Sequence, residues 1–212
     1  LTGPVVGDVL GRPGQEVIEG TSSLDLQAFR QDGAPASSRW PKLTGGWTVA
    51  TPTLGSFGTL DTGPDAHNDV VSITRSGTLS VYRTAAAACS PSSSPRFHDD
   101  IANSGDHTRD AVPPGRPMDA RLSGCRLSFT APGGDLLCGR AHAYQVVTSR
   151  HPITAQTFAS ARRLSVGLRP VAAGSRQRLR LGRGARRYVA IRAVDSAGNI
   201  GLPLVVKLPS TP

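Results

Sequence analysis

Aromatic residues make up only 5% of this 212-residue chain, there is one methionine, and charged residues reach just 18%. So low a charge content excludes a disordered polyelectrolyte. No run of about 18 apolar residues occurs, so no segment reads as a membrane-spanning helix. The three cysteines, Cys89, Cys125 and Cys138, contain no C-x-x-C pair, which excludes zinc-knuckle and thioredoxin spacing. There is no G-x-S-x-G, H-E-x-x-H or Walker sequence, and neither lysine follows a glycine-rich loop. No cofactor and no catalytic residue is therefore expected, and the chain reads as a non-enzyme. It opens Leu1-Thr2-Gly3-Pro4 with no charged or apolar leader, as expected of a fragment or a mature form. Helix signals are nearly absent; Thr154–Ser160 is the one candidate for a helical turn.

What is abundant is punctuation. With 24 Gly and 17 Pro, the chain is turn-rich but short of low complexity. Between the turns stand short β-branched or aromatic runs, the signature of strands. The first hundred residues repeat. Pro4-Val5-Val6-Gly7-Asp8-Val9 recurs 48 residues later as Pro52-Thr53-Leu54-Gly55-Ser56-Phe57. Glu16-Val17-Ile18 recurs as Asp69-Val70-Val71, and Leu26–Phe29 as Leu79–Tyr82, both 53 later. Trp40-Pro41-Lys42 matches Ser94-Pro95-Arg96, offset by 54. About five extra residues in the loop 59–67 reconcile the first offset with the rest. A unit of this length holding four short strands is a propeller blade.

From Pro113 the pattern changes. Arg126–Phe129, Ala143–Thr148, Arg176–Leu181, Arg187–Val194 and Leu204–Leu208 read as strands at roughly ten-residue spacing, which suits a seven-stranded sandwich. Val189, Ile191 and Ala193 should point inward, with Tyr188, Ala190 and Arg192 outward. The charge of +9 is almost wholly arginine, since Lys42 and Lys207 are the only lysines. Between Leu136 and Val194 there are twelve arginines and no Asp or Glu. Two readings compete: a basic face, with Arg176, Arg178 and Arg180 at its centre, that attracts anionic glycan, or simply a solvated strand face. Nucleic acid is the less expected partner, because no aromatic stacking platform accompanies the arginines.

The repeat resembles the FG-GAP and PQQ-like β-propellers of secreted bacterial proteins, through Gly7-Asp8-Val9, Glu16–Gly20, Trp40-Pro41 and Phe97–Gly105. The last stretch looks like an outer propeller strand. FG-GAP loops supply several carboxylates to calcium. This chain keeps Asp8 and Glu16 but has Leu10 and Arg12 at other acidic places, and Ser56, Phe57 and Gly58 in the second loop, so neither loop is expected to bind calcium. Residues 113–212 resemble a fibronectin type III domain, with Tyr188–Asn199 as its sixth strand and following turn. Such modules serve as spacers or binding platforms, so the resemblance implies no chemistry.

One polar constellation invites a site, namely His98, Asp99, Asp100, Asp106 and His107. Imidazole and carboxylate could hold a divalent metal or exchange protons; the alternative is a blade edge whose acids cap turns. His67, His142 and His151 stand alone. Trp40 and Trp47 are expected to pack between blades, although exposed tryptophans would suit glycan. Cys125 and Cys138 on one hairpin would be separated by about 20 Å at ~3.4 Å per residue, too far for a bridge. Cys89 lies in the loop 84–94, so Cys89–Cys138 is the expected disulfide, against three reduced thiols in a cytosolic chain. The expected architecture is all-β: two four-stranded propeller-type blades in residues 1–112 and a seven-stranded fibronectin type III-like sandwich in 113–212. The expected role is an extracellular or cell-surface binding or display module with an unknown protein or glycan ligand and upstream propeller blades as partners. An accessory region of a secreted enzyme, and anion binding by the sandwich, are the alternatives.

Overall fold

The computed structural model describes residues 2–56, 67–182 and 184–209. Phe57, Gly58, most of the expected insertion loop (59–66) and Arg183 lie outside the described residues. The chain divides into compact units of residues 1–110 and 111–212. Among the described residues all regular structure is strand, and no helix is long and apolar enough to cross a membrane. Thr154–Ser160 forms turns without a helix.

The first unit holds two antiparallel meanders. Strands β1 (Val5–Gly7), β2 (Glu16–Gly20), β3 (Asp25–Phe29) and β4 (Lys42–Leu43) form a four-stranded sheet in chain order. Strands β5 (Thr53–Gly55), β6 (Asp69–Ile73) and β7 (Leu79–Tyr82) form a three-stranded one. The repeat extends to the register. Val5 pairs Ile18 and Ile18 pairs Ala28 in the first sheet; Thr53 pairs Val71 and Val71 pairs Val81 in the second. Those positions differ by the same 48 and 53 residues that the sequence repeat shows. The hairpin turns match as well: Thr21 N–H donates to Asp25 O and Thr74 N–H to Thr78 O.

The second meander lacks the expected fourth strand. Ser94 and Pro95, the repeat partners of Trp40 and Pro41, do not pair with β7. Instead Ser94 exchanges two backbone hydrogen bonds with Val6, and Pro95 O accepts from Leu54 N–H at 2.7 Å. The segment therefore satisfies the open edges of β1 and β5, whose backbone groups would otherwise be unpaired. Nor is Phe97–Gly105 a strand. His98, Asp99, Asn103 and Gly105 all take positive φ, a conformation incompatible with extended backbone.

One apolar core joins the two sheets: Val5, Ile18, Leu26 and Ala28 of the first against Leu54 and Val70 of the second, with Trp40 at the margin. Close approach depends on glycine. A Cβ at Gly7 would lie 2.6 Å from Leu54 Cδ1, and one at Gly20 would lie 2.5 Å from Thr48 Cβ. Val5, Ile18, Leu26 and Ala28 share a sheet face by register, and all are buried. The matching face of the second sheet is Thr53, Val71, Leu79 and Val81. Here Leu79 is 65% and Val81 54% exposed, and Ile73, Trp47 and Val49 on the same side are exposed too. The backbone of 47–49 adds to the end of β6, with Val49 N–H donating to Ile73 O and Arg75 N–H to Trp47 O. So Trp40 packs into the core as expected and Trp47 does not.

In the second unit, β8 (Met118–Ser123), β9 (Arg126–Thr130) and β12 (Arg176–Arg180) form a three-stranded sheet in the order β12-β9-β8. Strands β10 (Ala143–Ser149), β11 (Arg162–Arg163), β13 (Tyr188–Val194) and β14 (Leu204–Lys207) form a four-stranded one, β11-β10-β13-β14. Leu127, Phe129 and Leu179 of the first sheet meet Val146, Val189, Ile191 and Leu204 of the second in a shared core. Val189, Ile191 and Ala193 are buried as the alternation requires, but so is Ala190. The outward face of β10 and β13 carries its own small cluster, in which Ile153 and Phe158 cover Val147 and Ala190. Cys89 and Cys138 are disulfide-bonded, and Cys125 is free and exposed.

Leu26 and Leu79 occupy equivalent repeat positions with opposite burial, so they separate core packing from the repeat itself. Leu26→Ala should cost about 2–5 kcal/mol and Leu79→Ala less than about 0.5 kcal/mol, as read by urea unfolding.

Candidate functional site

The pairing of β10 with β13 sets Gln145 opposite Arg192, and β11 sets Arg163 opposite Val147. Gln145 and Val147 are two residues apart and share a face, so both arginines project from the outward side of the four-stranded sheet, on opposite flanks of β10. Arg192 Nε donates to Gln145 Oε1 at 2.8 Å, and its Cζ lies 4.1 Å from the centroid of the Phe158 ring, a cation–π contact. Phe158 is held there by the small outward cluster. Beside these residues a cleft of about 450 Å³ opens, lined also by Tyr144, Leu164, Ser165 and Val166.

Burial, chiefly, and the neighbouring charge of Arg163 lower the pKa of Arg192. Tyr144 stands edge-on to Phe129, with centroids 5.4 Å apart. Its hydroxyl is buried without a hydrogen-bond partner, and burial pushes its pKa up to about 12. Sequence reasoning placed Arg192 outward but missed β11 and the cleft. Phe158, the lone aromatic between β10 and β12, was the available signal.

The expected basic face also has a defined geometry. On β12 the burial alternates, with Gln177 and Leu179 inside and Arg178 and Arg180 exposed. Register puts Arg180 beside Arg126, and Arg178 beside Ser128, which is beside Arg121. Among the described residues none of Arg121, Arg126, Arg178 and Arg180 is in an ion pair. Arg176 differs: it donates to Asp119 O at 2.9 Å and to Ser128 Oγ at 3.1 Å.

In the 97–107 segment the acids are occupied by local hydrogen bonds. Asp100 accepts from the amides of Ala102 and Ser104 and, at 2.6 Å, from Ser104 Oγ. The Ser104 bonds hold its carboxyl below the usual range. Asp106 accepts from Thr108 Oγ1 and its amide, which lowers its pKa likewise. His107 Nδ1 lies 3.2 Å from Asp99 Oδ1, and His98 stacks on Phe97. Asp100 and Asp106 thus act as loop caps. Asp8 and Glu16 do the same for the β1–β2 loop, accepting from Leu10 and Gly11 N–H and from Val9 N–H. His142 and His151 are exposed and His67 half-buried.

Compared with protein-family models, curated proteins and solved structures, the chain finds no match in any of the three.

Tyr144→Phe removes a buried hydroxyl that has no partner, so it should leave stability unchanged or raise it by up to ~1 kcal/mol. The raised folded pKa means that the unfolded chain loses the Tyr144 proton first. Stability should hold below pH 10 and fall as pH rises towards 12. Comparing alkaline unfolding of the native chain and the phenylalanine variant tests both effects.

Proposed function

We propose that the chain is an extracellular, non-catalytic binding or display module, in which two blade-like sheets of a partial propeller precede a fibronectin type III-like sandwich. The register-matched meanders support the first half of this reading. Seven strands arranged as three against four support the second. The disulfide Cys89–Cys138 suits an oxidising compartment.

One observation carries the binding role. The face of Ile73, Leu79 and Val81, with half-buried Val71 in it and Trp47 and Val49 beside it, is exposed, while its repeat equivalent in the first sheet is buried by the next sheet. In a longer parent chain, upstream blades would close the ring against this surface. The reverse side of the first sheet, with half-exposed Val6 and Phe29 around Val17, is what a second copy offers to it. The separate chain should therefore associate head to tail, the second sheet of one copy on the first sheet of another. Sedimentation velocity over a concentration series tests this. Leu79→Lys with Val81→Lys, and separately Val17→Lys, should each leave monomers, and the two variants mixed should form a capped dimer. A chain that remains monomeric at high concentration, or variants that do not complement, would overturn the reading.

The arginine face favours a second reading, anion binding by the sandwich. Like charges directly opposite on neighbouring strands repel, as Arg126 and Arg180 must, and a sulfated glycan would relieve that. Retention on heparin should weaken steeply with salt, and Arg178→Gln with Arg180→Gln should shorten it.

A further inference from the structure

The cleft beside β10 calls for a ligand of its own, on evidence independent of both readings above. Its volume of about 450 Å³ lies within the range of small-molecule sites and exceeds what a bare inorganic ion fills. Apolar walls come from Val146, Leu164 and Phe158, and polar groups from Gln145, Ser165 and the two arginines. The arrangement of Arg192 is directional. Gln145 occupies its Nε and Phe158 one face of its plane, which fixes the guanidinium while leaving its terminal N–H groups to a ligand. Arg163, exposed and in no ion pair among the described residues, brings a second positive charge to the same cleft. No carboxylate is among the residues that line the cleft. The two cations repel one another across the cleft, and that repulsion adds to burial, the larger cause, in lowering the pKa of Arg192.

We propose that this cleft binds a small organic oxyanion, a carboxylate or sulfate group carried on a scaffold of about monosaccharide size, with Arg192 and Arg163 pairing the charge and Phe158 holding Arg192 in place. The oxyanion supplies the missing negative charge and can accept two N–H groups from one guanidinium, the geometry that makes arginine–carboxylate pairs strong. The scaffold occupies the volume that the charge alone does not.

Isothermal titration of the full chain at constant ionic strength tests the proposal with sodium glucuronate, glucose and sodium sulfate. Glucuronate should bind, sulfate at least several-fold more weakly, and glucose not measurably. Arg192→Gln should weaken glucuronate binding tenfold or more. Gln145→Leu should weaken it by a smaller factor, because it frees the guanidinium without removing it. If Arg192→Gln fails to fold, Arg163→Gln on the exposed strand replaces it, with loss again expected. Arg178→Gln should leave glucuronate binding unchanged while shortening heparin retention, so the cleft and the sheet face fail or stand separately. Glucuronate binding no tighter than glucose, or unmoved by both cleft variants, would overturn the proposal. Sulfate binding as tight as glucuronate would reduce the site to a bare-anion site and overturn its organic ligand.

Discussion

The first unit depends on how closely its two sheets approach. Gly7 and Gly20 are the contact points: a single methyl group at either would collide with Leu54 or Thr48. That proximity lets Val5, Ile18 and Leu26 exclude water against Leu54 and Val70, in a chain whose aromatic content is too low to fill a wide gap. It also lets the later segment around Ser94 and Pro95 reach both β1 and β5. Asn68 completes the arrangement, its Nδ2 donating to Asp8 O at 2.9 Å and to Ser92 Oγ at 3.2 Å. Backbone satisfaction and apolar burial thus follow from the same two missing side chains.

Much of this fold was legible in the sequence, because a repeat constrains register as well as strand position. A spacing of 53 between Ile18 and Val71, and between Ala28 and Val81, forces the same cross-strand partners in both meanders. What the repeat cannot carry is the competition for edges. Ser94-Pro95-Arg96 looks like a fourth strand when aligned on Trp40-Pro41-Lys42, but its backbone pairs with Val6 and Leu54 instead. Trp47 has no repeat partner, so nothing in the sequence indicated which side of β6 it would take. In the second unit, strands with alternating apolar residues were legible, and β8 and β11 were not. β8 is interrupted by an irregularity between Met118 and Arg121, and β11 is only two arginines long.

The cleft was hidden for a related reason. Its parts come from three stretches of chain, around 145, 158–166 and 192, and only register brings Gln145 and Arg192 together. The arginine count pointed to positive charge without distinguishing its uses. The structure separates them: Arg176 braces its own sheet, Arg178 and Arg180 face solvent, and Arg192 lies against an aromatic ring. In the polar cluster of 98–107, by contrast, Asp100 and Asp106 hold turns. Short acids beside glycine and serine bond to the nearest amide before they can meet at a distance.

The two units also guard their open strands differently. β12, at the border of its sheet, presents Arg178 and Arg180 to solvent, and a second strand approaching side-on would have to bury or displace those charges. β7 sits at the corresponding border in the first unit with Leu79, Ser80, Val81 and Tyr82, none of them charged. Its safeguard is short length, four residues against the five to six typical of strands. During synthesis or partial unfolding, then, β7 is open to cross-molecular strand addition, and a single lysine at Ser80 would serve as a gatekeeper there.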